Sequence, residues 1–459
     1  MSRSYDEVAY PSLPLAQTQP DRMAVVAQLR GLPAADPRHA RVLEIGCSDS
    51  GNLAALAAYA PQAEFVGIDL SEAAVARGRE ATGSLPNLRL VQADLRDFDE
   101  GGFDFVIAHG VYSWIPRPQD LLECVERNLA EQGVGYVSYD VKPGAHLRTM
   151  VAEVLLRESR NAEDPVTAAR AVLDAIGHAG VSNEYAEALR AAVARTAGKP
   201  DHVLAHDELS AHHHPVYFDE FAAAAAAVGL HYLGESHPSA GARAVAGAPD
   251  GDEIQREQWW DYASNRTFRQ SLLVRGRPGA VSAANLAGLL VAAPTRIVRT
   301  HGPRATLKLL KDAEATLDDR TMRDELLRLG AAWPRCLAID EMRSPLPAWL
   351  QLFLAGAVEI RRSPVACVRA QSTPRVVDYM RDRAGIDGLV TSARHEVLKL
   401  EDEMSRRAVA MMDGHTSRAA LAEELRAHAA PGTRVRKDLD GLIEGLAAAG
   451  LFVGEDFAG

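Results

Sequence analysis

The stretch that decides the fold is VLEIGCSDSGNL, residues 42 to 53, where an apolar run meets a turn of small residues. Its first half predicts a short buried strand, and the alanine-rich residues that follow it predict a helix. A strand that enters a helix through a tight glycine turn is typical of nucleotide-binding sheets. Ser48 and Ser50 stand where such loops usually carry their second and third glycines. The stretch therefore predicts a nucleoside site with an altered loop.

Strand and helix patterns alternate from residue 41 onward. Five short apolar runs predict strands: Val42–Ile45, Phe65–Asp69, Leu88–Gln92, Phe103–Ala108 and Tyr136–Tyr139. Alanine-rich helices are expected between them, for example Leu53–Tyr59 and Glu72–Glu80. Consecutive βα units build a parallel sheet that binds its ligand at the carboxyl ends of the strands. We therefore predict an α/β fold with a doubly wound, Rossmann-like sheet.

The rest of the chain predicts an insertion, two late strands and C-terminal modules. Residues 147–210 look wholly helical, and strands at 230–236 and 267–274 would complete a seven-stranded sheet. Two later segments each combine short helices with a glycine followed by an apolar run, which is typical of winged-helix folds. The predicted domains are residues 1–277 with the insertion, a regulatory or interaction module at 285–375, and a mostly helical winged-helix-like module at 376–459.

Composition excludes several classes of partner. The 459 residues include 50 Lys and Arg against 62 Asp and Glu, a net charge of -12, and no basic run offsets it. This balance argues against nucleic acid or an anionic membrane as partner. The four cysteines are scattered without a CxxC pair, which suits a reducing compartment. Since no signal peptide or membrane span is evident, we expect a cytoplasmic protein.

Three acidic residues lie at the ends of the first three strands. They are Glu44, Asp69 and Asp94, and together they suit the hydroxyls and amines of one nucleoside. Gly46 lets the backbone approach the ligand. Asp49 in the loop is a poor neighbour for a pyrophosphate and a good one for a cation. The sequence therefore favours S-adenosylmethionine (SAM), which carries adenosine, an amine and a sulfonium, over a dinucleotide.

Several segments spread along the chain resemble one family. The segments are SYDEVAYPSLPLAQTQPDRM (4–23), VLEIGCSDSGNL, GIDLS (67–71), FDFVIAHGVYSWIP (103–116), HDELSAHHHPVYFDEF (206–221), NRTFRQSLLV (265–274), VTSARHEVLKLEDEM (390–404) and MMDGHTSRAALAEEL (411–425). Together they resemble class I SAM-dependent methyltransferases with a methyltransferase regulatory domain. That group includes bacterial protein lysine methyltransferases that modify outer-membrane proteins. The resemblance covers most of the chain, and HGVYSWIP is its most specific element.

The resemblance also implies which residues contact the cofactor. The expected contacts, with their immediate neighbours, are Glu44, Gly46, Cys47, Asp69, Leu70, Asp94, Leu95, His109, Gly110 and Tyr112, and the N-terminal segment around Tyr10 is expected to close over them. Two positions depart from the family pattern. YDVKPGA (139–145) replaces an aromatic-rich segment beside the methyl group, and Gln19 replaces a histidine.

Methyl transfer to an amine requires residues that position the acceptor and remove its proton. The expected catalytic residues are Tyr112, His206 and Asp207, and those expected at the acceptor are Trp114, Tyr139 and Asp140. Core packing explains Tyr112 and Trp114 equally well, and a helix N-cap explains the His206–Asp207 pair. The histidine run AHHHP (211–215) predicts no metal site, because three consecutive histidines cannot face one ion.

The favoured function is methyl transfer from SAM to an amine, such as a lysine of a protein or peptide. One alternative is a small-molecule O- or N-methyltransferase of a biosynthetic pathway, which the altered YDVKPGA segment supports. A further alternative is a non-catalytic SAM-binding scaffold. The sequence leaves open the acceptor atom, the number of methyl groups added and the oligomeric state, including a homodimer.

Overall fold

The computed structural model describes residues 13–237, 241, 245–301, 304–369, 371–429, 434–454 and 457, and its centre is one seven-stranded sheet. The strands are β1 (Arg41–Ile45), β2 (Glu64–Asp69), β3 (Leu88–Gln92), β4 (Phe103–Ala108), β5 (Leu129–Asp140), β6 (His231–Glu235) and β7 (Phe268–Val274). Their order is β3-β2-β1-β4-β5-β7-β6, and only β7 runs antiparallel to its neighbours. The predicted α/β sheet is confirmed.

Helices cover both faces of the sheet. The helices of this part are α1 (Pro20–Leu29), α2 (Gly51–Tyr59), α3 (Glu72–Ala81), α4 (Pro118–Asn128), α5 (His146–Ser159), α6 (Pro165–Gly177), α7 (Glu184–Ala197), α8 (Asp201–Val203), α9 (Phe218–Ala227) and α10 (Glu253–Ser264). On one face, α1 and α2 bury Met23, Leu53 and their neighbours against the strands. On the other face, α4 and α9 bury Leu121 and Phe221. Strands buried on both sides explain their uninterrupted apolar runs.

Two local predictions differ from the structure. β5 begins at Leu129, seven residues before the predicted strand, because exposed polar residues in its first part hide the apolar signal. The connection from β3 to β4, residues 93–102, contains turns and no helix, so helices do not separate every pair of strands as expected.

The insertion between β5 and β6 is a small helical unit with its own core. Helices α5, α6 and α7 pack through Leu155, Leu173 and Val193, and Leu204 closes the cluster. The side chains of Asp164 and Asn183 cap α6 and α7 by accepting backbone N–H bonds. A π-helical turn at Leu204–Glu208 then returns the chain to the sheet.

The C-terminal half contains more strands than the sequence predicts. Its elements are β8 (Leu290–Ala292), β9 (Arg296–His301), β10 (Arg304–Lys308), β11 (Glu314–Leu317), α11 (Arg320–Ala332), β12 (Leu337–Ala338), α12 (Leu346–Leu354), β13 (Glu359–Arg361), α13 (Asp378–Ile386), β14 (Leu389–Thr391), β15 (Val397–Lys399), α14 (Glu403–Ala410), α15 (Arg418–His428) and α16 (Val435–Ala449). Three strands form the sheet β11-β10-β9 and three form β12-β8-β13. None of the helices in the described ranges is long and apolar enough to cross a bilayer.

The outer faces of α1 and α2 lie under the C-terminal half. Val25 and Leu29 of α1 belong to the core formed by residues 286–360. Ala54 and Ala55 of α2 belong to the core formed by α13 to α16. Both helices are therefore buried on two sides, and the first part of the chain shares its hydrophobic core with the second.

Candidate active site

The loop after β1 keeps the shape of a glycine-rich turn although two of its glycines are serines. Gly46 has a φ of 75°, and a Cβ there would lie 2.7 Å from Val111 Cγ2. Ser48 (φ 49°) and Ser50 (φ 69°) also adopt the left-handed conformation. That conformation costs a non-glycine residue about 1–2 kcal/mol, so the surrounding structure must hold the loop. Part of this support is a 2.8 Å hydrogen bond from the Ser48 N–H to Asp69 Oδ2.

Carboxylates follow β2 and β3 at the same edge of the sheet. Asp69 also accepts a 2.9 Å bond from the Ser71 N–H, so both of its oxygens are fixed and each keeps a second lone pair for a ligand. Asp94 accepts bonds from the backbone and guanidinium of Arg96, which lower its pKa to about 2. Leu70 is exposed beside Asp69. The two acids, which are expected to bind the hydroxyls and amines of one nucleoside, therefore lie at the ends of neighbouring strands.

Glu44 is buried beneath the loop with one oxygen unsatisfied. Its Oε1 accepts a 2.8 Å bond from Asn52 Nδ2, whereas its Oε2 is buried and has no partner within the described part of the chain. Burial raises the pKa of Glu44 to about 8, and the neighbouring charge of Asp69 adds to the rise. Cys47 packs behind the loop against Gly67. A buried carboxyl group that can ionise when a cation binds beside it fits the cationic part of SAM.

His109 and Gly110 begin the turn after β4 and are held by β5. His109 Nδ1 lies 2.9 Å from the hydroxyl of Tyr136, and burial lowers the pKa of His109 to about 4, so its ring is neutral. The Gly110 N–H donates a 2.8 Å bond to Ser138 Oγ. These contacts fix the backbone of the turn where cofactor contacts are expected.

Tyr112 and Tyr139 lie in the core of the sheet. The Tyr112 ring packs against Tyr139 and Phe221, and burial raises the pKa of Tyr112 to about 12. Tyr139 is 1% exposed, stacks on Phe221 and has its hydroxyl 2.9 Å from Ser271 Oγ. Packing therefore places both rings inside the fold, and the roles expected of Tyr112 in catalysis and of Tyr139 at the acceptor stay predictions.

A histidine–carboxylate pair lies beside the turn that follows β4. His213 Nε2 donates a 2.7 Å bond to Asp140 Oδ2, which also accepts a 2.9 Å bond from Arg148 Nη1. The rings of His213 and Trp114 stack with centroids 4.7 Å apart. The His214 N–H donates to the Ser113 carbonyl and so fastens the segment to the turn. Residues from β5, α5, the turn after β4 and the end of the insertion thus meet at one place.

The predicted pair His206 and Asp207 lies in the π-helical turn next to this cluster. Arg148 Nη2 donates a 2.9 Å bond to Asp207 Oδ2, and Arg148 also bonds Glu208. Burial raises the pKa of Asp207, an effect that Arg148 opposes. His206 is buried. Arg148 therefore joins the end of the insertion to Asp140, and the catalytic role expected of His206 and Asp207 stays a prediction.

Sequence analysis did not single out His213 or Arg148 as functional. His213 lies in the histidine run at 211–215, which the sequence analysis considered only as a metal site and rejected. Tyr10, the residue expected to close over the cofactor, lies outside the described residues. The described part of the N-terminal segment contacts α2, because the Leu15 N–H and Thr18 Oγ1 both donate hydrogen bonds to Asn52 Oδ1.

Three family models match the chain. A methyltransferase domain matches residues 43–134, a "predicted methyltransferase regulatory domain" matches 200–275, and the C-terminal winged helix domain of PKMT matches 372–441. The second match contains β6 and β7, which complete the sheet. The regulatory role that the sequence analysis gave to residues 285–375 stays a prediction.

Similar proteins come from Rickettsia. The uncharacterized protein RP789 of Rickettsia prowazekii is 32% identical over 59% of this chain and 52% of its own length. A second uncharacterized protein of that organism, RP028, is 29% identical over 48% of this chain and 92% of its own. This chain thus spans about half the length of the first relative. The structure of PKMT2 from Rickettsia typhi superposes with a TM-score of 0.83 at 20% identity, covering 97% of this chain and all of that one. Another structure of that protein is in complex with AdoHcy.

The sheet order and the methyltransferase domain matched at residues 43–134 are those of the class I SAM-dependent methyltransferase fold. The chain combines that catalytic fold with a methyltransferase regulatory domain and a winged-helix domain of the PKMT type.

Proposed function

We propose that this protein transfers a methyl group from SAM to the amine of a lysine side chain in a protein or peptide. When bound, SAM supplies a methyl group whose bond to a positively charged sulfur breaks as the new carbon–nitrogen bond forms. Glu44, Asp69 and Gly46 would hold the cofactor, and their geometry supports that part of the proposal. The acceptor part rests on a single observation, the His213–Asp140 pair.

His213 is arranged to accept the proton of the amine. A lysine amine has a pKa of about 10.4 in water and must lose a proton before its nitrogen can attack. Because Nε2 of His213 donates to Asp140, its Nδ1 carries the free lone pair. Stacking on Trp114 fixes the plane of the ring. Asp140 would stabilise the imidazolium that forms, as carboxylates do in other histidine pairs.

The similarity to PKMT2 supports a protein acceptor. The abbreviation denotes a protein lysine methyltransferase, and it also names the matched winged-helix model. The shared fold covers nearly the whole chain. The acidic composition of the chain suits an acceptor with basic side chains.

Tracing the methyl group tests the proposal. The pure protein is incubated with methyl-labelled SAM and a bacterial lysate, and the label is separated by molecular size. We expect label in protein and methyllysine after acid hydrolysis. Label confined to small molecules would instead establish a small-molecule methyltransferase. If no label is incorporated, a non-catalytic SAM-binding scaffold remains. Asp69→Ala should lose about 1.5–3 kcal/mol of SAM binding and serves as the negative control.

The role of His213 has its own test. His213→Ala should lower kcat by roughly 100-fold or more, the range for a positioned acid–base group, while the affinity for S-adenosylhomocysteine stays unchanged. Free imidazole added to the variant should restore part of the activity. His212→Ala is the matched control, because the neighbouring ring stacks on His214 and not on Trp114. An unchanged kcat in His213→Ala would remove the proton-acceptor role.

A further inference from the structure

A cavity of about 60 Å³ lies between the start of α1, the end of β6 and residues 310–360. His237 follows β6 at the carboxyl edge of the sheet, the edge that carries the cofactor loop. Arg22 enters from α1 and Lys311 from the C-terminal half. These residues belong neither to the loop after β1 nor to the group of side chains around the His213–Asp140 pair.

Arg22 is a partly buried cation whose nearest side-chain partner is a neutral histidine. Its Nη1 donates a 3.2 Å bond to His237 Nδ1, and its Nε is buried without a partner among the residues that the structure describes. Burial lowers the pKa of His237 to about 4, so that ring is neutral and adds no charge of its own. Burial also lowers the pKa of Arg22, which is the effect expected of a guanidinium that lacks a close counter-ion.

Three carboxylates act electrostatically on Arg22, those of Glu359, Asp21 and Glu396, and the first two are also bound to other groups. Glu359 lines the same cavity, but its oxygens bind Arg361 and Arg394. Asp21 accepts bonds from the backbone N–H groups of Arg362 and Ser363. Arg22 and Lys311 are the two cations that line the cavity alongside the neutral His237, and the carboxylate of Glu396 acts on both of them.

We propose that this cavity binds one carboxylate group. A cavity of about 60 Å³ with cations in its wall has room for a carboxylate group. A guanidinium with a free Nε matches the two oxygens of a carboxylate. This inference rests on the proposed function, which offers two sources: the methionine carboxylate of the cofactor, and an acidic side chain beside the target lysine.

Arg22→Gln distinguishes the two sources. Calorimetry on the full chain compares S-adenosylhomocysteine with methylthioadenosine, a related nucleoside that has no carboxylate. If the cofactor supplies the group, the variant binds the first ligand about 10- to 100-fold more weakly and the second equally well. If the acceptor supplies it, both affinities stay unchanged, and KM for the protein acceptor rises at least tenfold with kcat unchanged. If neither binding nor KM changes, the proposal is overturned.

A stability measurement separates a ligand site from a structural arginine. Removal of a partly buried charge whose nearest side-chain partner is neutral should leave the melting temperature of the ligand-free protein unchanged or higher. Sodium acetate should raise the melting temperature of the wild type more than that of Arg22→Gln, with sodium chloride as the ionic-strength control. Arg320→Gln, at an arginine that is 86% exposed, should behave like the wild type throughout.

If Arg22→Gln destabilises the ligand-free protein and acetate raises both melting temperatures equally, the arginine is structural and the proposal fails. Failure of the proposed function has a different signature. In that case no methyllysine forms. If the cofactor carboxylate occupies the cavity, S-adenosylhomocysteine nevertheless binds the wild type more tightly than Arg22→Gln. The two results are read from separate experiments.

Discussion

Glu44 is the residue whose charge depends most on what binds beside it. Its carboxyl group is buried, one oxygen lacks a partner among the described residues and the pKa is raised to about 8 by that burial. A bound cation would favour the ionised form and so lower the pKa. Binding of SAM should therefore release a proton from Glu44 at neutral pH.

The first prediction at this scale concerns the pH dependence of SAM binding. Between pH 6 and 8 the affinity of the wild type should rise by about tenfold per pH unit, and it should level off above pH 8. In Glu44→Gln the affinity should be weaker and should not change with pH in that range. Calorimetry in buffers of different ionisation enthalpy would count the released proton directly. A flat profile in the wild type would contradict the buried, protonated state.

The same group affects the stability of the ligand-free protein. The pKa of Glu44 is about 8 in the folded protein and about 4.3 in an unfolded chain. The folded state therefore binds the proton more tightly, and the free energy of unfolding falls as the pH rises from the lower value through the higher one. In Glu44→Gln this contribution to the decrease in the free energy of unfolding should be absent, so the variant serves as the control.

Individual site residues differed in how far the sequence predicted them. Glu44 and Asp69 could be found because each stands at the end of an apolar strand, a signal contained in a few neighbouring residues. The His213–Asp140 pair joins residues 73 positions apart, and no local pattern relates them. The left-handed conformations of Ser48 and Ser50 are imposed by the folded loop against the preference of serine, so the sequence could not reveal them.

At the scale of elements, Arg269 joins β6, β7 and α10. Its side chain is fully buried and forms ion pairs with Glu235, Glu257 and Asp261. The guanidinium also lies 3.8 Å from the ring of Phe218 on α9. Arg266 also pairs with Glu257 and Asp261, so two arginines face these three buried carboxylates at the edge of the sheet.

Arg269→Met should lower the free energy of unfolding by about 3–5 kcal/mol, because it leaves the buried carboxylate of Glu235 without its ion-pair partner. Urea unfolding followed by circular dichroism measures the loss. Arg275→Met, which breaks a partly exposed pair with Glu126, should cost at most about 1 kcal/mol. Similar losses in the two variants would show that the buried network adds no more than a surface pair.

Elements could be predicted where burial leaves a pattern. The central strands are buried on both faces and appear as apolar runs, and their predicted positions agree closely with the structure. β9 has six residues, all exposed, so its sequence RIVRTH has no alternation of apolar and polar residues. It forms a strand because β10 pairs with it, and that pairing is not encoded in a local period.

At the scale of the whole molecule, the C-terminal half supports the cofactor site. It covers the apolar outer faces of α1 and α2, as described above for Val25 and Ala54. It also reaches the site through hydrogen bonds, since His395 Nε2 donates a 3.0 Å bond to Asn52 Oδ1. A domain boundary at residue 277 stays a prediction, but this shared packing argues that residues 1–277 do not form an independently stable unit.

The hydrogen bonds from His395 continue to the cofactor loop. Asn52 receives the His395 N–H on its oxygen and donates its own N–H to Glu44. Burial lowers the pKa of His395 to about 3, so the ring is neutral and a single proton defines the direction of the bond. Asn52 therefore presents Glu44 with a donor whose position depends on a residue 343 positions away.

The last prediction measures this coupling. His395→Ala should weaken S-adenosylhomocysteine binding by roughly 2- to 10-fold, the value of one buried hydrogen bond, and Asn52→Ala should weaken it further because Glu44 loses its donor as well. The double variant should be no weaker than Asn52→Ala alone, since both changes act through the same bond. His415→Ala, an exposed histidine of the same module, is the matched control. Additive losses in the double variant would mean that the C-terminal half stabilises the fold without positioning the site.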